Sequence, residues 1–179
     1  MEFKKRNIKI YILSGKASSG KSTIANIMKS LIPNAVIISY ASYLKMYASE
    51  ILGWNGDEKT KPREFLQQVG VELIKNTIDN KMLIRRIIED IKVYSYFYDV
   101  IIISDARFIE EIEDIKNIFD DVSVIHIKGL ESNLTDEQKK HPTEVSLDDY
   151  HNYDYEIIND SNLEEKVKQI VEVSYGSSN

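Results

Sequence analysis

The eight residues Gly15-Lys16-Ala17-Ser18-Ser19-Gly20-Lys21-Ser22 fit the pattern G-x-x-x-x-G-K-[ST] at every fixed position. The run Ile8–Leu13 before them is β-rich and almost wholly apolar, as in a strand buried on both faces, and Ser22–Leu31 after them reads as a helix stopped near Pro33. A strand, a glycine-bounded turn and a helix in that order build a phosphate-binding loop. Its backbone N–H groups turn inward around an anion, and glycine adopts the required conformations without steric cost. Lys21 would reach the β/γ-phosphates and the Ser22 hydroxyl would ligate Mg²⁺. The helix N-terminus adds the positive end of its dipole.

Further along, Ala35–Ser39 reads as a second strand and Ser42–Leu52 as a helix with Tyr43, Met46, Tyr47 and Ile51 on one face. Two helical patterns follow, one from Pro62 through Leu73 and one over Met82–Ile91. Val100–Ile103 and Val122–Ile127 read as strands around a Phe108–Ile118 helix, and Lys128–Pro142 as a polar segment without periodicity. Glu156–Ile158 reads as a last strand and Asn162–Val173 as a closing helix, with a polar end at Ser174–Asn179 expected to fray. The alternation predicts a three-layer α/β fold on a mostly parallel sheet. We expect one domain over residues 1–179, with a helical insertion at about 53–98 over one sheet edge and a lid at about 128–142.

Composition narrows the partners. The chain of 179 residues carries a net charge of −6, which disfavours sequence-independent binding of a nucleic-acid backbone. It has no cysteine, so thiolate metal sites, disulfides and a cysteine nucleophile are excluded. Three scattered histidines argue against a histidine metal site. The apolar run near Lys4, Lys5 and Arg6 is too short for a signal peptide, and no stretch approaches a membrane span, so a cytoplasmic protein is expected. The charge is graded: residues 1–50 hold eight Lys/Arg against two Asp/Glu, residues 131–179 four against twelve. The basic end carries the phosphate loop.

A GTPase would show an Asn-Lys-x-Asp guanine reader, but Asn80-Lys81-Met82-Leu83 lacks the acid, and no Asp-x-x-Gly switch occurs. A small-molecule kinase fits the length. It needs an acid near Mg²⁺ and cations for the moving phosphoryl group. Asp105 ends the run Val100–Ser104, at a strand's carboxyl end where ligands bind in open sheets; its other reading is a cap for the Phe108 helix. Arg107 points from the same edge, and Arg63 opens the inserted helix as a clamp for an acceptor phosphate. Tyr40 and Phe65 are candidates to stack on an acceptor base, whereas Tyr43 packs in the core, and Gln67 or Gln68 could read base edges. The aromatic cluster Tyr94, Tyr96, Phe97, Tyr98 reads as structural or as a homodimer contact.

Five further motifs accompany the loop: Tyr40-Ala41-Ser42-Tyr43-Leu44-Lys45, Arg63-Glu64-Phe65-Leu66-Gln67, Ser104-Asp105-Ala106-Arg107-Phe108-Ile109-Glu110-Glu111, His141-Pro142-Thr143-Glu144 and Asn159-Asp160-Ser161-Asn162-Leu163-Glu164-Glu165. With them the chain, from about Ile8 to Val173, resembles the deoxynucleoside monophosphate kinases of bacteriophages and their bacterial relatives. It departs at Thr143, where serine is usual, and at Lys16 and Ser18 inside the loop. The resemblance implies transfer of the γ-phosphoryl group of ATP, with Mg²⁺, to a (deoxy)nucleoside monophosphate; the partners expected are these small molecules, with a homodimer left open and neither nucleic acid nor membrane. It implies ATP contacts from Gly15, Lys16, Ala17, Ser18, Ser19, Gly20, Lys21, Ser22 and Thr23, and Mg²⁺ placed by Ser22 and Asp105. Lys21, Asp105, Arg107 and Arg63 would carry the chemistry; Tyr40, Lys45, Arg63, Phe65, Gln67, Arg107, Glu110 and Glu144 would line the acceptor side. The competing readings are another small-molecule kinase, of the phosphomevalonate or dephospho-CoA type, and a nucleotide-sensing module without turnover.

Overall fold

The apolar run before the loop forms strand β1, Lys9–Ser14, whose residues from Ile10 onward are buried. In the computed structural model, which describes residues 3–129 and 135–175, this strand lies at the centre of the sheet. Helix α1 (Lys21–Leu31) follows the loop, then strand β2 (Ala35–Ile38) and helix α2 (Tyr40–Leu52). After a short 3₁₀ turn, Glu58–Thr60, helix α3 (Arg63–Gln67) widens without a break into a π-helical stretch over Gln68–Ile78, and α4 (Met82–Tyr94) comes next. Strand β3 (Val100–Ala106), helix α5 (Ile109–Ile118) and strand β4 (Val122–Lys128) complete the middle of the chain. Two one-turn helices, α6 (Asp136–Lys139) and α7 (Pro142–Val145), precede strand β5 (Tyr155–Ile158) and helix α8 (Leu163–Tyr175).

The five strands run parallel in the order β2-β3-β1-β4-β5. Successive side chains alternate across a strand, so β1 feeds two cores. Ile10 and Ile12 face α4 and α5 with Ile84, Ile87, Ile91, Ile112 and Ile115; Tyr11 and Leu13 face α1 and α8 with Ile24, Met28, Val167 and Val171. Burial on both faces explains why β1 and β3 read as unbroken apolar runs rather than alternating ones. α4 therefore belongs to the layer on the sheet, not to an insertion over its edge.

Two local departures position the site. Ile12 pairs with Ile103 but Ser14 pairs with Ala106, so β3 carries one extra residue at Ser104–Asp105. A bulge of this kind re-aims side chains at the end of a strand. α2 starts at Tyr40, two residues earlier than its apolar spacing predicts, on Ser39 as N-cap. On that helix Tyr43 packs against the core, while Met46 and Ile51 of the expected apolar face are exposed. The polar segment after β4 holds α6 and α7 where no helix was expected; residues 130–134 of the expected lid, like 176–179 of the polar end, lie outside the described residues. Among the described residues, no helix is long and apolar enough to cross a membrane.

Candidate active site

The carboxyl ends of β1 and β3 sit side by side, and the loop between β1 and α1 closes over them. Such a strand edge is where open α/β sheets bind ligands. A cleft of about 610 Å³ opens there, bounded by Ala17–Thr23 on one side and by α3 with its wide continuation on the other. That volume lies within the range of small-molecule pockets.

The loop is held from outside itself. Gly20 adopts φ 101°, and a Cβ there would lie 2.4 Å from the Asn159 amide nitrogen, which donates to the Ser19 carbonyl at 3.0 Å. Gly129, at the exit of β4, packs so closely that a Cβ would lie 2.3 Å from the Ser19 Cα. Inside the loop, the buried Lys21 ammonium donates to the carbonyls of Gly15 (2.7 Å) and Lys16 (2.6 Å). Burial, with Arg107's like charge behind it, pulls Lys21 down to about 7. The Lys16 side chain leaves the cleft to pair with Asp148.

Carboxylates staple the other walls. Asp105 accepts from the backbone N–H of Tyr40 and of Ala41, both at 2.9 Å. It thus caps α2 and not the helix that begins after Phe108, which corrects the capping alternative. Desolvation pushes its carboxyl upward against the pull of those two amides. Glu111 accepts from Arg107 N–H at 2.7 Å and Phe108 N–H at 3.1 Å, fixing the turn that presents Arg107. The Arg107 Nη1 donates to Glu144 Oε1 (2.7 Å) and to the Thr143 carbonyl (3.3 Å), while Glu144 Oε2 accepts from the Ala17 N–H at 2.7 Å. His141 caps α7 by accepting from Thr143 N–H, and so aims Glu144 inward.

On the far wall Arg63 is exposed at the rim and has no ion pair among the described residues. Lys45 pairs with Glu58 at 3.3 Å and Glu110 with Lys75 at 2.6 Å, all four along the cleft. Gln67 lines it; Gln68 points to Glu64 instead. Of the two residues expected to stack on a base, one lines the cleft and one does not. Tyr40 is among the lining residues, yet it is 4% exposed and packs against the core, with its hydroxyl donating to the Glu111 carbonyl. Phe65 is not among the lining residues, because the helix turns Leu66, Gln67 and Gly70 inward. Phe108 also lines the cleft, with the Lys75 ammonium 3.3 Å from its ring centroid. Glu111 and Asn159 were legible only as motif positions; nothing in spacing alone marks them, or Lys75, as neighbours of the cleft.

Among the described residues no cluster of three or more His, Asp or Glu side chains could hold a metal. Ser22 and Asp105 both line the cleft, and a carboxylate that accepts two amides keeps further lone pairs. One acid and one hydroxyl fit a magnesium ion that retains several waters and is shared with phosphates.

Glu111 supplies a pH prediction. Burial raises its carboxyl to about 8 from an ordinary 4.5, so between those values the folded protein holds a proton that the unfolded chain releases. Its contribution to stability is complete below 4.5 and declines as pH rises towards 8. Lys21 acts only above about 7, while Asp105, raised by burial, and His126, lowered by burial, also contribute below it, so the Glu111 share is read as the difference between wild type and variant across pH 5 to 7. Glu111→Gln should flatten the fall of the unfolding midpoint across that window; an unchanged slope in thermal scans would refute the assignment.

The family described as deoxynucleotide monophosphate kinase matches residues 34–170, a stretch that begins after the phosphate loop. A protein of Acanthamoeba polyphaga mimivirus, provisionally named a deoxynucleotide monophosphate kinase, is 28% identical, with 89% of this chain and 92% of the other covered. Among solved structures the fold is similar to APE1195 (TM-score 0.54, 15% identity, 98% of both chains). It is also similar to shikimate kinase from Aquifex aeolicus (TM-score 0.51, 16% identity, 94% of this chain and 98% of that one).

Proposed function

The chain belongs to the deoxynucleotide monophosphate kinase family, and from that premise we propose that it transfers the γ-phosphoryl group of ATP to a deoxynucleoside monophosphate, giving the diphosphate and ADP. The observation that carries this reading is one cleft lined by a phosphate loop with a buried lysine, by Arg107, and by Arg63, which has no ion pair among the described residues.

In this reading the amides of Gly20, Lys21 and Ser22 cradle the ATP phosphates. Lys21 exchanges its carbonyl partners for phosphate oxygens. A phosphate oxygen of the acceptor attacks the γ-phosphorus, the bond to the β–γ bridging oxygen breaks, and ADP leaves with the electron pair. The acceptor phosphate is already anionic, so no side chain need act as general base. Ser22, and Asp105 through water, would hold Mg²⁺, which when bound neutralises charge on the donor phosphates. Arg107 lies where charge spreads over the transferring group, and Arg63 holds the acceptor phosphate from the rim. Catalysis is then positioning and electrostatics in a site that sheds water.

A coupled ADP-release assay across dAMP, dCMP, dGMP and dTMP tests the reading, with phosphomevalonate and dephospho-CoA as competing acceptors. At least one deoxynucleotide should raise turnover far above background ATPase. Equal background with every acceptor, or preference for either competitor, overturns the proposal; ATP binding without any phosphorylated product points to a sensor. Arg63→Ala should raise the acceptor KM by about ten- to a hundredfold, the loss of one charge-assisted contact. The KM for ATP should move less than about twofold, since Arg63 lies across the cleft from the loop. If both constants are untouched, Arg63 is not the acceptor clamp.

A further inference from the structure

Among the described residues Glu144 is the acid that hydrogen-bonds both a phosphate-loop amide and the Arg107 guanidinium, and its side chain is 5% exposed. We propose that Glu144 is a positioning residue, which locks the Arg107 guanidinium to the lip of the phosphate loop so that donor phosphates and transferring group meet a preset cation.

Three observations converge on this. First, a carboxylate so far out of water needs its charge paired and its oxygens hydrogen-bonded, and Glu144 meets both demands with partners from two different elements. Second, the amide it takes is Ala17's, at the loop's entrance. Ser19 N–H is already turned back on the Lys16 carbonyl. The N–H groups of the first turn of α1, from Lys21 on, have no intrahelical partner and stay available. Glu144 therefore anchors the cradle and does not fill it. Third, the Arg107 contacts to Glu144 and to the Thr143 carbonyl both run through Nη1. Among the described residues its Nη2 and Nε make no hydrogen bond to protein, which leaves a two-donor edge for a phosphate. His141, Pro142 and Thr143 complete the device by capping the turn that carries the acid. The motif at 141–144, whose Thr143 and Glu144 also line the cleft, thus acts through Arg107.

The kinetic part rests on the kinase reading above; a second readout does not. Wild type, Glu144→Ala, Arg107→Ala and the double variant form a cycle. Glu144→Ala should lower kcat by about ten- to a hundredfold with the KM for ATP within about twofold. Added to Arg107→Ala, it should cost less than a further twofold, because its effect passes through that arginine. Glu144→Gln, which keeps an oxygen for the Ala17 amide, should recover part of the loss. Costs that multiply in the double variant, or an unaltered kcat in Glu144→Ala, overturn the proposal. Independently of any turnover, the Ala17 amide proton should resonate downfield in the wild type, and shift upfield in Glu144→Ala more than in Glu144→Gln. An Ala17 resonance that ignores both substitutions overturns the contact itself. A wild type that passes the resonance test but phosphorylates no acceptor refutes the kinase reading alone. Should Glu144→Ala not fold, the Gln variant carries both measurements.

Discussion

Lys21→Ala should lower kcat by about a thousandfold, the cost of losing a preorganised charge in a water-poor site. The argument rests on burial and reach. Lys21 is 7% exposed and its ammonium hydrogen-bonds two loop carbonyls, so its position is set before any phosphate arrives. Met at the same place fills the volume without the charge and should be as damaging as Ala, which separates charge from packing. Folding should survive. Unfolded lysine keeps its proton to about 10.5, whereas burial drops Lys21 to about 7, so the native state gains stability as pH climbs between those values. The variant should lose that rise and unfold no earlier than wild type at pH 6. Single-turnover rates and thermal scans at both ends of the window decide the matter; activity above about a tenth of wild type, in a folded variant, removes Lys21 from the mechanism.

Arg107→Ala should be of the same order, about a thousandfold in kcat, at the low end of what arginines facing a transferring phosphoryl group supply. Lys at 107 should restore little. Its point charge cannot keep one nitrogen on Glu144 and present a planar two-donor edge elsewhere. A stability loss should accompany the kinetic one, because truncation leaves Glu144 buried with its charge uncompensated, an error worth about 3–5 kcal/mol. Steady-state kinetics on the Ala and Lys variants, beside their unfolding midpoints, test both halves. A Lys variant as fast as wild type would show that charge alone suffices and that the fork geometry is irrelevant.

How much of this was legible in the chain follows from where each determinant lies. The phosphate loop and the strand and helix flanking it are local: an apolar run, glycines and a helix start sit within about twenty-five residues of one another, so pattern alone identifies them. Arg107 and Asp105 were placed at a strand end because the run before them is unbroken. What Asp105 does there was not readable. Its partners are the amides of Tyr40 and Ala41, some 65 residues earlier, and that same contact lets α2 begin two residues before its apolar face. The early start puts Tyr40 at the head of α2, where it lines the cleft while its hydroxyl braces the Glu111 carbonyl, a contact that spacing does not show. Register had the same effect on β3. An extra residue between Ile103 and Ala106 is invisible in composition, since only the neighbouring strand defines it. On α3 the lining residues Arg63, Leu66 and Gln67, continued by Gly70, fall at i, i+3, i+4 and i+7, so ordinary helical spacing turns Gln67 to the cleft and Phe65 away; which face meets the cleft depends on packing that spacing alone does not state.

The packing around Ser19 and Gly20 bears on attempts to transplant the loop. Eight contiguous residues carry its spelling, yet its shape also depends on a glycine at position 129 and an amide side chain at position 159, contributed by β4's exit and β5's end. A designer who grafts residues 15–22 between a strand and a helix of some other scaffold would copy the letters and lose the mould. The portable unit is the loop together with the two neighbouring strand exits, a cassette that is contiguous in space and scattered in the gene.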